Sequence, residues 1–299
     1  MDRLQAMTTF VAVVDSGGFA SAARKLSLSP PVVTRAVGEL EARLGLRLLT
    51  RTTRFVRVTE AGARYADDCR RILAEIDEAE TAATGAHATP RGTLTITAPV
   101  LFGHLYVTPI LVIYLQRYKD VDAKCEFLDR VVNIVAEGID IAVRIGELPD
   151  SSLQATHVGR VRRVVVASPA YLKAHGVPRR PDELVEHTII AASGVTPNPE
   201  WRFIDGGKPV IQRLHARMRT TTNDSAISAT VAGLGITRLL NYQVAAQIRG
   251  GQLKIMLEDF ETVPLPVHVV HHEGRRATQK VRGFIELAIE TLRADPALE

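Results

Sequence analysis

At the start of the chain, three apolar runs at helical spacing are cut from one another by two breaks, an arrangement that leaves few folds open. Leu4, Met7, Phe10, Val11 and Val14 mark one face of a first helix, stopped by Gly17-Gly18. Phe19, Ala22, Ala23 and Leu26 give a second, short helix whose small residues let another helix approach closely. Ser29 then suits an N-cap, and Pro30 the first helical position, where its missing N–H costs nothing. Val33, Ala36, Val37, Leu40 and Leu44 mark the inner face of a third helix closed by Gly45, with Thr34, Arg35, Glu39 and Arg43 on its other face. A short helix, a tight turn and a capped helix with an Arg-bearing polar face read as a helix-turn-helix. Thr34 and Arg35 stand where base edges come within reach, and arginine can bond both acceptors of guanine. The plainer alternative is that Arg35 only pairs with Glu39 one turn on.

Beyond Leu49, Arg54, Val56 and Val58 alternate with Phe55 and Arg57, as in a two-stranded wing. Arg51 and Arg54 at its tip would follow a phosphate backbone or enter a minor groove. Thr59 reads as the cap of a new helix opening Glu60-Ala61-Gly62. Residues 1–60 carry nine Lys and Arg against five Asp and Glu, so the whole formal net charge of +4 resides there. Cations set on phosphates release condensed counterions, which makes this end suited to a polyanion; an ordinary solvated surface is the alternative.

Along the next helix, Tyr65, Cys69, Ile72, Ile76, Ala79 and Ala83 follow heptad spacing, with Arg70, Arg71, Asp77, Glu78 and Glu80 off the seam. Such a helix pairs with a copy of itself or packs on its own domain. Residues 85–92, Gly-Ala-His-Ala-Thr-Pro-Arg-Gly, break it and place a domain boundary.

At 299 residues the chain exceeds one ordinary core. Its 46% hydrophobic and 23% charged residues exclude a disordered or fibrous class. No basic patch leads into an apolar run at the N-terminus, no eighteen apolar residues run together, and a reduced cytoplasm is the expected compartment. Two cysteines, Cys69 and Cys125, cannot build a disulfide framework. His268, His271 and His272 have a ligand-like spacing, but on a strand His268 and His271 face opposite ways, so no metal or other cofactor is expected. Nucleophile elbows, phosphate loops and metalloprotease motifs are missing, and Asp67-Asp68 reads as a solvated helix face, so an enzyme is not expected.

After Gly92 the pattern changes. Strands are expected at 93–97, 121–128 and 140–144, with helices from Pro99 to about Tyr118 and at 131–137, implying a parallel sheet with right-handed crossovers. A second set has strands at 163–167, 188–192 and 213–219 with helices at 169–175 and 224–232; a strand at 267–270 and a helix at 278–293 close the chain.

The N-terminal segments resemble the DNA-binding domain of the LysR family. They are Phe10-Val11-Ala12-Val13-Val14, Gly18-Phe19-Ala20-Ser21-Ala22-Ala23, Leu28-Ser29-Pro30 and Val33-Thr34-Arg35, followed by Leu40-Glu41-Ala42-Arg43-Leu44-Gly45, Leu49-Thr50-Arg51-Thr52-Thr53-Arg54 and Thr59-Glu60-Ala61-Gly62. Carried over by position, Ser29, Pro30, Pro31, Thr34 and Arg35 would open the recognition helix, with Arg51 and Arg54 on the wing. Pro31-Val32 and Thr34 depart modestly from the family pattern, which bears on base preference.

Downstream, residues 138–146 (Gly-Ile-Asp-Ile-Ala-Val-Arg-Ile-Gly), 167–172 (Ala-Ser-Pro-Ala-Tyr-Leu) and 232–236 (Ala-Gly-Leu-Gly-Ile) resemble the family's effector domain. That domain has the fold of type 2 periplasmic binding proteins, two α/β lobes around a cleft.

The resemblance implies a winged helix-turn-helix over 1–59, a dimerising linker helix and hinge over 60–91, and a two-lobed α/β effector-binding domain over 92–299. Its first lobe would hold about 92–162 and 267–299, its second about 163–266. The implied function is a regulator binding a palindromic site on double-stranded DNA as a homodimer or homotetramer, with a small-molecule co-inducer and RNA polymerase as further partners.

In such a fold the ligand sits at strand carboxyl ends, near helix N-termini. Three places qualify: Pro99-Val100-Leu101; Arg144-Ile145-Gly146, where Arg144 holds a carboxylate or serves a lobe-internal ion pair; and Thr221-Thr222-Asn223, where Asn223 contacts ligand or only caps. Trp201 would wall the pocket or belong to the core. Val100 stands where many relatives have Ser or Thr, which predicts a less polar pocket or none of the usual kind. Two alternatives stay open: a regulator whose C-terminal domain only oligomerises, and a solute-binding protein for transport, which the helix-turn-helix argues against.

Overall fold

The computed structural model describes residues 2–51, 56–83, 89–148, 153–192, 200–272 and 277–298, and the chain divides into two compact units, Met1–Gly92 and Thr93–Glu299.

In the first unit, α1 (Arg3–Asp15), α2 (Phe19–Lys25) and α3 (Pro30–Leu44) precede β1 (Leu49–Arg51), β2 (Val56–Val58) and α4 (Glu60–Ala83). β1 and β2 pair antiparallel, Leu49 opposite Val58, as a wing requires. Gly45 ends α3 in the left-handed region (φ 67°), where a residue without Cβ fits best. Phe10, Val13, Val33, Val37, Leu40, Leu48 and Leu49 form the core. Each such side chain contributes about 1.5–3 kcal/mol by leaving water.

The heptad reading needs correction at its start. Cys69 is fully buried in this core, Tyr65 and Ile72 pack against it, and the Tyr65 ring lies 5.9 Å from that of Phe10. Arg70 of α4 bonds Asp15 of α1 at 2.5 Å and Asp67 at 2.6 Å. The same apolar stripe that could serve a partner helix is used here by α1, because α4 lies along it. Ile76 is half-buried, and the side chains of Ala79 and Ala83 lie outside the described ones.

The second unit holds two five-stranded sheets and a hairpin. Its first elements are β3 (Gly92–Ala98), α5 (Val100–Phe102), a π-helical turn (Gly103–Val107), α6 (Thr108–Arg117), β4 (Val121–Phe127), β5 (Ile141–Ile145) and β6 (Gln154–Val161). The chain then crosses into β7 (Arg163–Ala167), α7 (Pro169–His175), β8 (Ile189–Ala192), β9 (Glu200–Asp205), β10 (Lys208–Arg213), β11 (Ala216–Thr220) and α8 (Asn223–Val231). β12 (Ile236–Leu240), α9 (Asn241–Arg249) and β13 (Lys254–Met256) follow, and the chain returns in β14 (Leu265–His271) and α10 (Gln279–Arg293). Strand orders are β4-β3-β5-β14-β6 and β11-β8-β12-β7-β13.

The sheets are mixed rather than parallel. β3 runs parallel to β5, but β14 enters antiparallel to both β5 and β6, and β7 is antiparallel to β12 and β13. Residues 131–137, read as a helix, hold no helix: 131–133 are irregular and 134–138 form a turn. Asn133 Oδ1 accepts the Ala136 N–H at 3.1 Å, and the Glu137 carboxylate accepts the Asn133 N–H while pairing with Arg130. Local side chains thereby satisfy backbone groups that a helix would have used. Val132 and Ile134 then alternate into a small core with Ile139 and Val270. The strand expected at 213–219 is split between β10 and β11, with Leu214 buried between them.

By length and composition Val100–Arg117 could cross a bilayer, yet Phe102, Val107, Ile110, Leu111 and Tyr114 are seated in the core of this unit.

At the crossing between the lobes, Asn241 ties three strands of chain together. Its N–H donates to Arg162 O (2.9 Å), its Oδ1 accepts from Arg162 N (2.9 Å), and its Nδ2 donates to Ala297 O (2.9 Å). Arg162 also pairs with Glu261 at 2.9 Å.

Candidate functional site

Two places carry chemistry, one in each unit. In the first unit, α3 divides cleanly between core and solvent. Val33, Ala36, Val37 and Leu40 are buried, whereas Ser29, Pro30, Pro31, Thr34 and Arg35 are all exposed. The helix therefore offers its first turns outward on a rigid base. The Ser29 side chain makes no capping bond, although Ser29 O accepts from Val32 N and Val33 N, so Ser29 is left to bond elsewhere.

Arg35 Nε donates to Glu39 Oε1 at 2.7 Å, so the pairing weighed from the sequence is present. That hydrogen bond holds the Glu39 carboxyl below the usual range. Both partners are solvated, and such a surface pair is worth little, so the guanidinium can exchange a carboxylate for a base edge or phosphate. Arg24, Lys25, Arg43, Arg47 and Arg57 are exposed in the same unit. Arg54 lies outside the described residues and the Arg51 side chain outside the described side chains.

The wing is anchored by a residue whose part the sequence reading did not identify. Glu41 Oε1 accepts the N–H groups of Leu48 (2.8 Å) and Leu49 (3.0 Å), joining α3 to β1. Thr59 caps α4 as expected, accepting from Gly62 N at 2.9 Å while donating to Arg47 O. Removing the Glu41 acceptor should cost about 1–3 kcal/mol, because two part-buried donors lose their partner. Glu41→Ala should accordingly lower the urea midpoint of this unit, and an unchanged midpoint would exclude the anchoring role.

In the second unit a cavity of about 780 Å³ opens between the lobes, at the carboxyl ends of several strands. Pro99 and Ile145 line it from the first lobe, and Trp201 and Asn223 from the second. Trp201 is both wall and core, being only 7% exposed. Thr221 lines it as well, and the remaining expected residues lie elsewhere. Leu101 is buried and lines a second cavity of about 600 Å³. Val100 is exposed, and its N–H donates to Asp129 Oδ1 at 3.1 Å. The Arg144 guanidinium turns back within its lobe to Val132 O at 3.1 Å, and Arg144 does not line the cavity. Gly146 takes φ 112° and donates to Pro266 O, and Thr222 caps α8 by accepting from Ser225 N.

The expectation of a weakly polar pocket is corrected by residues outside the three segments. Arg130, Arg163, Arg238, Asp129 and Glu200 all line the cavity, with Tyr242 and Gln243. Gln243 Oε1 accepts from Leu240 N at 3.0 Å, and burial pushes the Tyr242 hydroxyl well up, leaving it neutral. Tyr242 stacks edge-on against Phe102 and Tyr106, with centroids 5.3 and 5.9 Å away. A signal for the Trp201 wall was present in Asp205-Gly206-Gly207, a hairpin turn with both glycines at positive φ. Arg238 carried none, since its strand is defined only by its neighbours in the sheet. Among the described residues, no three His, Cys, Asp or Glu come together as a metal-binding group.

Comparison with known proteins bears on both units. A family model described as "Bacterial regulatory helix-turn-helix protein, lysR family" matches residues 4–63, and one described as "LysR substrate binding domain" matches residues 87–293. An HTH-type transcriptional repressor of Pseudomonas aeruginosa is 35% identical over 301 residues, covering 100% of this chain and 95% of its own. The HTH-type transcriptional activator AaeR of Escherichia coli K12 is 31% identical, over 95% of this chain and 92% of its own. The solved structure of CrgA, a LysR-type transcriptional regulator from Neisseria meningitidis, superposes with a TM-score of 0.63 at 30% identity, over 98% of this chain and 99% of that one. These relatives are regulators of transcription, not enzymes.

Proposed function

This chain belongs to the LysR family of transcriptional regulators, and from that premise we propose that it binds a palindromic promoter site as a dimer or tetramer and answers to a small molecule held between the lobes of its second unit. The observation that carries the DNA half is the outward face of α3, where Ser29, Pro30, Pro31, Thr34 and Arg35 are exposed on a helix whose other face is core. Two such helices on two-fold-related protomers meet two half-sites of a palindrome. Pairing of protomers through α4 falls to its distal part, Ile76, Ala79 and Ala83, since its proximal apolar residues serve the unit's own core. A cavity of about 780 Å³ falls within the size range of small-molecule sites and supports the ligand half.

Arg35→Ala should lose roughly 1–3 kcal/mol at the cognate site and relax base preference there. Arg54→Ala should weaken binding to all sequences alike, and reduce the salt slope by about one. Mobility shifts of both variants on the promoter region and on scrambled DNA distinguish them. Equal losses for Arg35→Ala on both DNAs would remove Arg35 from base readout.

A further inference from the structure

β7 and β12 run antiparallel with Leu240 opposite Arg163 and Arg238 opposite Val165. Arg163 and Arg238 are therefore diagonal neighbours on one face of the sheet, and both line the cavity. The other charged groups lining it are engaged. Asp129 Oδ1 takes the Val100 N–H, Arg130 makes two bonds to Glu137 (3.1 and 2.9 Å), and Glu200 pairs with Arg213 at 3.1 Å. The Arg163 guanidinium, by contrast, is exposed and has no hydrogen-bond or ion-pair partner among the described residues. Arg238 spends one Nη2 hydrogen on Arg202 O (2.6 Å) and lies over the Phe203 ring at 4.9 Å, while its Nε is sealed from solvent with no partner.

Arg202 adds a third positive charge beside Arg163. Glu261, the acid acting on Arg238, is already paired with Arg162 at 2.9 Å. Residues 193–199, between β8 and β9, contain no acidic side chain. Burial, then repulsion from Arg163, brings the Arg238 pKa down to about 10. Arg238 is the more deeply seated of the two and Arg163 is exposed; the like charges repel one another, and an anion between them relieves that repulsion. Apolar surface completes the recess: Trp201, Ile190, Leu239 and Leu265 line it beside Tyr242.

We propose that the ligand of this cavity is an amphipathic anion, its oxyanion group held between Arg163 and Arg238 and its apolar or aromatic body against Trp201 and Tyr242. This rests on the reading that a small molecule occupies the cavity. A guanidinium presents several donors in a planar fork matched to oxyanions, so the pair selects charge and shape together.

The test uses the full-length protein and four probes of similar size: phenylacetate, phenyl phosphate, phenylacetamide and phenethylammonium. Calorimetric titration and thermal shift should show an oxyanion probe binding roughly ten- to a hundredfold more tightly than the amide or the ammonium. The carboxylate and the phosphate separate the two oxyanion chemistries. Arg163→Met and Arg238→Met should each abolish the preference for the acid over the amide. Without ligand, Arg163→Met should melt higher than the parent, because a like charge has gone. Should a variant fail to fold, the four-probe series on the parent protein still decides. Amide or ammonium binding as tightly as the acids, or an acid preference that survives both substitutions, overturns the proposal while leaving a ligand in the cavity. Failure of anionic, neutral and cationic probes alike, extended to a library of all three classes, overturns the ligand reading as well.

Discussion

Gly62→Ala should abolish DNA binding by unfolding the first unit. A Cβ built on Gly62 would lie 2.0 Å from Leu48 O and 2.9 Å from the Leu48 carbonyl carbon, closer than any real contact. Neither side can give way cheaply. Leu48 O accepts from Thr59 N (3.0 Å) and Thr59 Oγ1 (3.1 Å), and Leu48 N is held by Glu41. Alanine in a helix gains about 1 kcal/mol over glycine by intrinsic propensity. The overlap opposes that gain, and a loss of more than about 4 kcal/mol is expected, the range in which a marginal domain unfolds. Circular dichroism melts and a mobility shift on the promoter region read the outcome together. A variant that melts and binds like the parent would show that Gly62 does not set the approach of α4 to the wing.

Asp140→Ala should destabilise the second unit by about 3–5 kcal/mol. Asp140 Oδ2 accepts the Thr95 N–H at 2.7 Å and faces Lys280 Nζ at 3.7 Å, with both side chains nearly nine-tenths buried. Lys280 Nζ in turn donates to Thr93 O at 2.6 Å. The group thus clamps the start of β3 to α10, and β3 ends at Ala98, next to Pro99 in the cavity wall. Removing the carboxylate leaves a buried ammonium without its counter-charge. Replacing both, as Asp140→Leu with Lys280→Met, should cost less than the single change, since neither charge is then stranded. Urea melts of the three variants measure this. A double variant as unstable as the sum of the singles would assign the effect to packing instead of charge.

Signals that act within one turn of backbone are legible in the sequence. The ends of α1, α2 and α3 follow from Gly17-Gly18, Ser29-Pro30 and Gly45, and the cap of α4 from Thr59, because each signal acts within one turn of backbone. The strands β3, β4, β5 and β7 were legible from alternation or from β-branched runs such as Arg163–Ala167. Residues 131–137 were misread because Asn133, Arg130 and Glu137 compete for the backbone in ways that apolar periodicity does not register.

The cavity was half legible for a related reason. Pro99, Ile145 and Asn223 sit at strand or helix ends, positions that the fold assigns to ligands. Arg144 occupies such an end too, yet its long side chain found Val132 O inside its own lobe. Arg163 and Arg238 became neighbours only through the register of β7 on β12, strands that 68 residues of intervening chain do not reveal as partners.

The sequence by itself determined the helix-turn-helix, the exposed polar face of its third helix and the basic end of the chain, since capping, helical period and charge are properties of neighbouring residues. Tertiary structure alone decided that the first part of the heptad stripe closes the first unit's own core, and that two arginines converge on the cavity. Both outcomes depend on which surfaces meet across the fold, and burial and like-charge repulsion arise only after they have met.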